Sequence, residues 1–176
     1  DVQYAADFGY RIKLLAVVAK HDADIEVGVH PTLVPFDHML ASVNGVFNAA
    51  MVRGDMVGDT MFYGRGAGRL PTASTVVGDI GDIARNMAHG EVRYARAVPT
   101  YGEGVTKLRA PGDIVSRFYL RFNVADKAGA FGTMTTILGR NGVSISAAAQ
   151  KTANVDEKGF VPVVVLTHPA PAKAVD

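Results

Sequence analysis

Cysteine is absent from the 176 residues. Without thiols the chain has no disulfide, no zinc–thiolate site and no cysteine nucleophile, and a reducing cytosol is the expected compartment. An excess of charge of either sign is also missing, since 18 Lys and Arg face 17 Asp and Glu for a formal net charge of +1. That balance leaves no footprint for nucleic acid or for an anionic membrane. Long hydrophobic runs are lacking too. Val163, Val164, Val165 and Leu166 form one of the longest, far from the roughly 20 residues that cross a bilayer. The opening residues show no basic stretch followed by an apolar one.

The chain does have enough apolar side chain to fold. With 48% hydrophobic and 20% charged residues it fits one ordinary domain or two small ones. The first residue is Asp1 rather than Met, and residues 1–20 already read as a domain interior. Position 1 is therefore expected to be a cut within a longer chain.

Residues 2–8 predict a short helix closed by Gly9. Residues 11–20 are aliphatic, and 25–34 alternate Ile25, Val27 and Val29 with Glu26, Gly28 and His30. That period of two predicts two antiparallel strands about the turn at 21–24. Residues 35–40 read as a loop or one helical turn. Residues 43–53 and 57–63 read as strands joined by "GDMVGD", a hairpin connection. Leu70, Ala73, Val76, Val77, Ile80, Ile83 and Ala84 then recur at helical spacing, with Pro71 where a first turn tolerates it. From 90 to 111 no period is sustained, which places a boundary there. Order returns with a strand at 117–124, a helix stripe Phe131, Met134, Ile137 and Leu138 stopped by Asn141-Gly142, a strand at 143–150, a polar loop, and a strand at 160–168. Strand, helix, strand, strand opens a ferredoxin-like sandwich. The fold class expected is α+β: a mostly antiparallel sheet with helices, then a partial ferredoxin-like module.

Gly64, Gly66 and Gly68 lie between a strand and a helix, where bare backbone can approach a phosphate or a nicotinamide and N–H groups favour negative charge. The spacing is G-x-G-x-G. The third glycine of the dinucleotide fingerprint would fall on Arg69, so the Rossmann pattern fails. A tight structural turn is the plainer alternative. The five histidines (His21, His30, His38, His89, His168) are scattered with no H-x-x-x-H pair, so no metal ligand is assigned. Asp37 beside His38 reads as a capping or solvent group rather than a catalytic pair. Lys13 and Lys20 read as snorkelling strand ends. The loop at 126–129 and the helix-end turn at 141–146 would offer free N–H groups to a small carboxylate ligand, beside the alternative of an ordinary connection.

At this point a family resemblance covers nearly the whole chain. "DVQYAADFGYRIKLLAVVAK", "VHPTLVPFDHMLASVNGVFNAAMV", "GDTMFYGRGAGRLPTASTVVGDIGDIA" and "VPVVVLTHPA" resemble, in order, the C-terminal portion of bacterial homoserine dehydrogenase. The stretch "SRFYLRFNVADKAGAFGTMTTILGRNGVSISAAAQK" resembles the ACT domain that follows the catalytic region in many members. The resemblance implies an NAD(P)-dependent oxidoreductase interconverting L-aspartate 4-semialdehyde and L-homoserine on the route to threonine and methionine. In the full-length parent the cofactor would be NADP or NAD. It implies that Gly68, with Gly66 beside it, lies against the cofactor, and that the ACT part answers to threonine through Asp126, Asn141, Gly142 and Gln150. A homodimer or higher homo-oligomer, paired through strand 43–53, is implied as well.

Two departures accompany the likeness. The dinucleotide-binding domain and the segment bearing the family's catalytic lysine and aspartate are not among these residues. No catalytic residue is therefore assigned, and the isolated chain is expected to have no turnover. The usual D-K-P-G of the ACT loop is Asp126-Lys127-Ala128-Gly129, and a second helix and a fourth strand are missing after Asp176. Strand 117–124 would then be an open edge that pairs with another chain or leaves the ACT half loose. The domains expected are 1–89 (end of the catalytic and dimerisation region), 90–113 (linker) and 114–176 (truncated ACT module). The alternative of a different class is a non-enzymatic amino-acid sensor, which residues 1–89 disfavour.

Overall fold

The computed structural model describes residues 1–22, 24–88, 107–150 and 159–175. His89, most of the expected linker 90–113 and the polar loop 152–158 lie outside the described residues. Contacts group the chain into two compact units, Asp1–Leu33 with Thr106–Asp176, and Val34–Val105. The class is α+β with antiparallel sheets, as the patterns require.

In the first unit, α1 (Val2–Asp7) ends where Gly9 turns at φ +84°, and it lies against β1 (Tyr10–Lys20). β1 hydrogen-bonds to β2 (Ile25–Pro35) as a two-stranded sheet. The short connection 21–24 leaves no room for a crossover, so the pair is antiparallel. The far edge of β2 receives Lys107 to Arg109. Ile25 N donates to the Lys107 carbonyl and Arg109 N to the Ile25 carbonyl, both at 2.9 Å.

The rest of that unit is a three-stranded antiparallel sheet in the order β6-β8-β7, built from β6 (Tyr119–Ala125), β7 (Ile145–Gln150) and β8 (Phe160–Thr167). The helix α3 (Ala130–Arg140) connects β6 to β7. Its stripe buries Met134 and Leu138 against Val163 and Val165 of the central strand, with Leu120 and Phe122 of β6 completing the layer. β8 reads as an unbroken apolar run because it has a neighbour on each side, and Val164 and Val165 are fully buried. β6 starts at Tyr119 rather than 117, because the Phe118 N–H goes to the Thr167 side chain rather than to a backbone carbonyl. β7 starts at Ile145, since Val143 and Ser144 serve the close of α3 and the bond to His168. A short pair unforeseen in the sequence, β5 (Val115–Ser116) with β9 (Ala170–Pro171), closes the module.

In the second unit a 3-10 turn at Met39–Ser42 precedes β3 (Phe47–Gly54) and β4 (Gly58–Arg65), paired from Phe47↔Arg65 to Gly54↔Gly58. The expected strand 43–53 thus begins at Phe47, because Gly45 sits at φ +65° and Asn44 makes a turn bond to Phe47 N. Gly58 takes φ +70° at the end of the three-residue loop, the conformation such a hairpin asks of a glycine. Then α2 (Arg69–Ala88) runs for 20 residues. Its apolar stripe is exposed along its length, as Leu70 (79%) and Val77 (68%) show.

Candidate functional site

The glycine stretch sits where β4 hands over to α2. Phe62 to Arg65 alternate across the hairpin. On one face Phe47 and Tyr63 stack at 4.9 Å between ring centroids, and the Arg65 guanidinium lies 5.2 Å from the Phe47 ring. The other face carries Asn48, with Gly64 directly opposite it in register. A Cβ at Gly64 would meet nothing within 4 Å. At Gly64 that face is bare backbone beside the Asn48 carboxamide, with the exposed Phe62 ring two residues away on the same side.

Beyond β4 the turn is tied back. Gly66 N and Ala67 N both donate to the Val46 carbonyl, at 3.2 and 3.3 Å. Gly68 turns at φ +123°, which disfavours any side chain, and its carbonyl accepts the first helical bond from Thr72 N at 3.1 Å. The N–H groups of Arg69 and Leu70 therefore end the helix without intrahelical partners, and Pro71 has none to offer. Bare backbone allows close approach of a ligand, and the helix N-terminus favours negative charge such as a phosphate. Gly66 and Gly68 thus share one turn but differ in use: Gly66 spends its N–H on Val46, and only Gly68 opens toward the helix start.

The second set of residues is distributed otherwise. Asp126 opens the loop before α3, where its N–H donates to Gly159 O at 3.0 Å and Gly129 (φ 86°) caps the helix. Asn141 and Gly142 close the same helix at its far end. Asn141 Nδ2 donates to Ile137 O at 2.9 Å, and Gly142 turns at φ +74° while Val143 N reaches back to Leu138 O at 2.9 Å. The 11 residues of α3 separate those ends by roughly 16 Å. Gln150 lies on edge strand β7, exposed, opposite Val163. One copy of the chain does not gather these four residues into one pocket.

Two of the histidines have local partners. His38 Nδ1 accepts from Leu40 N at 3.2 Å and caps the 3-10 turn, and His21 Nε2 lies 3.2 Å from Glu26 Oε2. Among the described residues no group of three His, Asp or Glu is arranged to hold a metal ion. No helix among them is long and apolar enough to cross a membrane.

The residue missed by motif reading is Asn48. Its signal was available in the hairpin register, since counting outward from Gly54↔Gly58 places Asn48 on Gly64.

The family described as homoserine dehydrogenase matches residues 1–80, which include the whole glycine turn. Homoserine dehydrogenase of Neisseria gonorrhoeae is 44% identical over 173 residues, covering 96% of this chain and 39% of that protein. The enzyme of Bacillus subtilis is 35% identical over 168 residues, covering 96% of this chain and 38% of that protein. The crystal structure of a homoserine dehydrogenase from Thiobacillus denitrificans superposes with a TM-score of 0.78 at 36% identity, over 99% of this chain and 39% of that one. The chain spans about two fifths of the length of the relatives it matches.

Proposed function

Because the chain belongs to the homoserine dehydrogenase family, we propose that it serves, within a full-length protein, the NAD(P)-dependent interconversion of L-homoserine and L-aspartate 4-semialdehyde. The observation that carries this reading is the turn at Gly66–Gly68, which lies inside the matched region and offers bare backbone at the start of α2. When bound, the nicotinamide cofactor takes up or gives the hydride. The chain's own contribution is to position it. Gly68 would let backbone approach the ring, and Gly64 would leave open space beside it. The proton on the substrate oxygen needs a basic side chain such as lysine at the reacting atoms. Gly66, Gly68 and Asn48 have no such group, and the 176-residue chain alone is expected to have no turnover.

The second module extends the proposal. Strand order β6-β8-β7 with α3 supports an ACT-type regulatory part, and the family resemblance makes threonine its proposed ligand. Asp126 at one end of α3 and Asn141 and Gly142 at the other would meet one ligand only if two copies bring opposite ends together. A homodimer, with β3 as its pairing strand and the cytoplasm as its compartment, completes the reading.

The test is an assay of L-homoserine oxidation with NADP and with NAD, using the full-length protein and the 176-residue chain in parallel. Turnover by the first and none by the second is expected. Turnover by the short chain, or none by the full-length protein with either cofactor, contradicts the proposal.

A further inference from the structure

Gly66 and Gly68 are glycines for different reasons. At Gly68 the backbone demands it, with φ +123° and Pro71 Cδ no nearer than 3.4 Å to an added Cβ. Gly66 is not in the left-handed region, so its φ would admit a side chain. What forbids one is a neighbour. A Cβ built on Gly66 would overlap Asn48 Nδ2 and come within 2.6 Å of Asn48 Cγ and 3.2 Å of Asn48 Cβ. Asn48 stands opposite Gly64 and leans along the strand to the diagonal position, which Gly66 occupies just past the end of β4.

We propose that Asn48 is the positioning residue of the glycine turn: its side chain packs directly on the Gly66 backbone and fixes the path from Arg65 to Gly68. The Asn48 side chain lies on one side of Gly66, while the Gly66 and Ala67 amides are drawn to Val46 O. Val46 and Asn48 flank Phe47 at the start of β3, so one short stretch of backbone holds the turn from two directions. That clamp sets where Gly68 and the first N–H groups of α2 point. Glycine at 66 is thus required by Asn48 within the chain itself.

Since this rests on the cofactor reading above, the experiment has two readouts. Gly66→Ala, Asn48→Gly and the double variant are made in the full-length protein. The Michaelis constants for cofactor and homoserine, kcat and the thermal midpoint are measured for each, with Gly64→Ala as comparator for the midpoint alone. Gly66→Ala is expected to raise the cofactor KM about tenfold, the scale that sub-ångström misplacement of a site produces. Asn48→Gly is expected to raise it about threefold with kcat within about twofold, because the turn is loosened without being displaced. The double variant is expected to return to the Asn48→Gly value, a non-additivity that marks direct contact.

A wild-type cofactor KM in Gly66→Ala would mean that Asn48 simply swings aside, and would overturn the proposal. A double variant as impaired as Gly66→Ala would place the clash elsewhere and overturn it equally. Should Gly66→Ala not fold, recovery of folding in the double variant supports the contact and continued failure refutes it. If the wild-type protein binds no nicotinamide cofactor, the functional reading fails, and the coupling of thermal midpoints still decides the role of Asn48.

Discussion

The Arg109 guanidinium reaches one oxygen of Asp24 with two nitrogens, Nε at 3.0 Å and Nη2 at 2.9 Å, across 85 positions of sequence. Both side chains are mostly shielded, at 23% and 17% exposure, so screening is weak. The same segment bonds through its backbone to Ile25. Arg109→Ala leaves the Asp24 carboxylate partly buried without its partner. It is expected to cost about 2 kcal/mol, within the range for hydrogen bonds to charged groups. Urea unfolding measures the cost, and hydrogen exchange at the Ile25 amide should speed up. An unchanged midpoint and unchanged exchange would contradict this.

Thr167 is the buried polar residue of the β8 layer, with 1% exposure. Its Oγ1 accepts from Phe118 N at 2.9 Å, and its own N–H donates to Phe118 O at 3.0 Å. Thr167→Val keeps the shape and removes the acceptor, leaving the Phe118 N–H without that bond. The expected loss is about 1–3 kcal/mol, the cost of an unsatisfied buried group. Unfolding in denaturant reads it, and a change below about 0.5 kcal/mol would count against the bond.

Two exposed pairs make a pH prediction. The hydrogen bond from Arg53 holds the Asp59 carboxyl below its ordinary 3.8, and the bond from Lys173 does the same for Asp113. A depressed carboxyl stabilises the fold above its unfolded-state value, and that help fades as pH falls through the lower folded value. Lys173 is held above its ordinary 10.5 by Asp113, so its share is present below that value and lost as pH rises through the folded one. Both pairs face solvent and contribute little to stability. An NMR titration is expected to give Asp59 a midpoint below 3.8, moving up toward 3.8 in Arg53→Gln. No movement would contradict the assignment of cause.

If the proposed threonine site is formed by Asp126 and Asn141, their placement at opposite ends of α3 predicts that binding depends on assembly. Calorimetric titration of the full-length protein at several protein concentrations is expected to show affinity rising as dimer forms. Affinity independent of concentration, across a range in which ultracentrifugation shows the protein dissociating, would contradict a shared site.

Most of the elements were legible because their periods are local. The stripe from Leu70 to Ala84 specified α2, and Met134 with Leu138 specified the buried side of α3. The three-residue connection in "GDMVGD" fixed β3 and β4 through Gly58. What escaped depends on residues far apart in sequence. Lys107 to Arg109 carry no period, and they join β2 only through a backbone edge that pattern does not reveal. The two-residue strands β5 and β9 are too short to have one.

The candidate site was legible as a motif and not as a mechanism of folding. Spacing showed three glycines between strand and helix, yet gave no reason to separate Gly66 from Gly68. That separation needs two long-range facts, the Val46 carbonyl drawing in two amides and the Asn48 side chain occupying the space over Gly66. The four residues around α3 were legible as loop ends. Their distance from one another follows from the helix between them.

The most direct measurement is an NADPH titration of the full-length protein with ¹⁵N-labelled glycine, with binding followed in parallel by cofactor fluorescence. If the turn lies against the cofactor, saturable shifts are expected at Gly68, smaller ones at Gly66, and none at Gly112 or Gly139. Saturated cofactor binding with Gly66 and Gly68 unmoved would contradict it, because the turn would then be a structural corner remote from the chemistry.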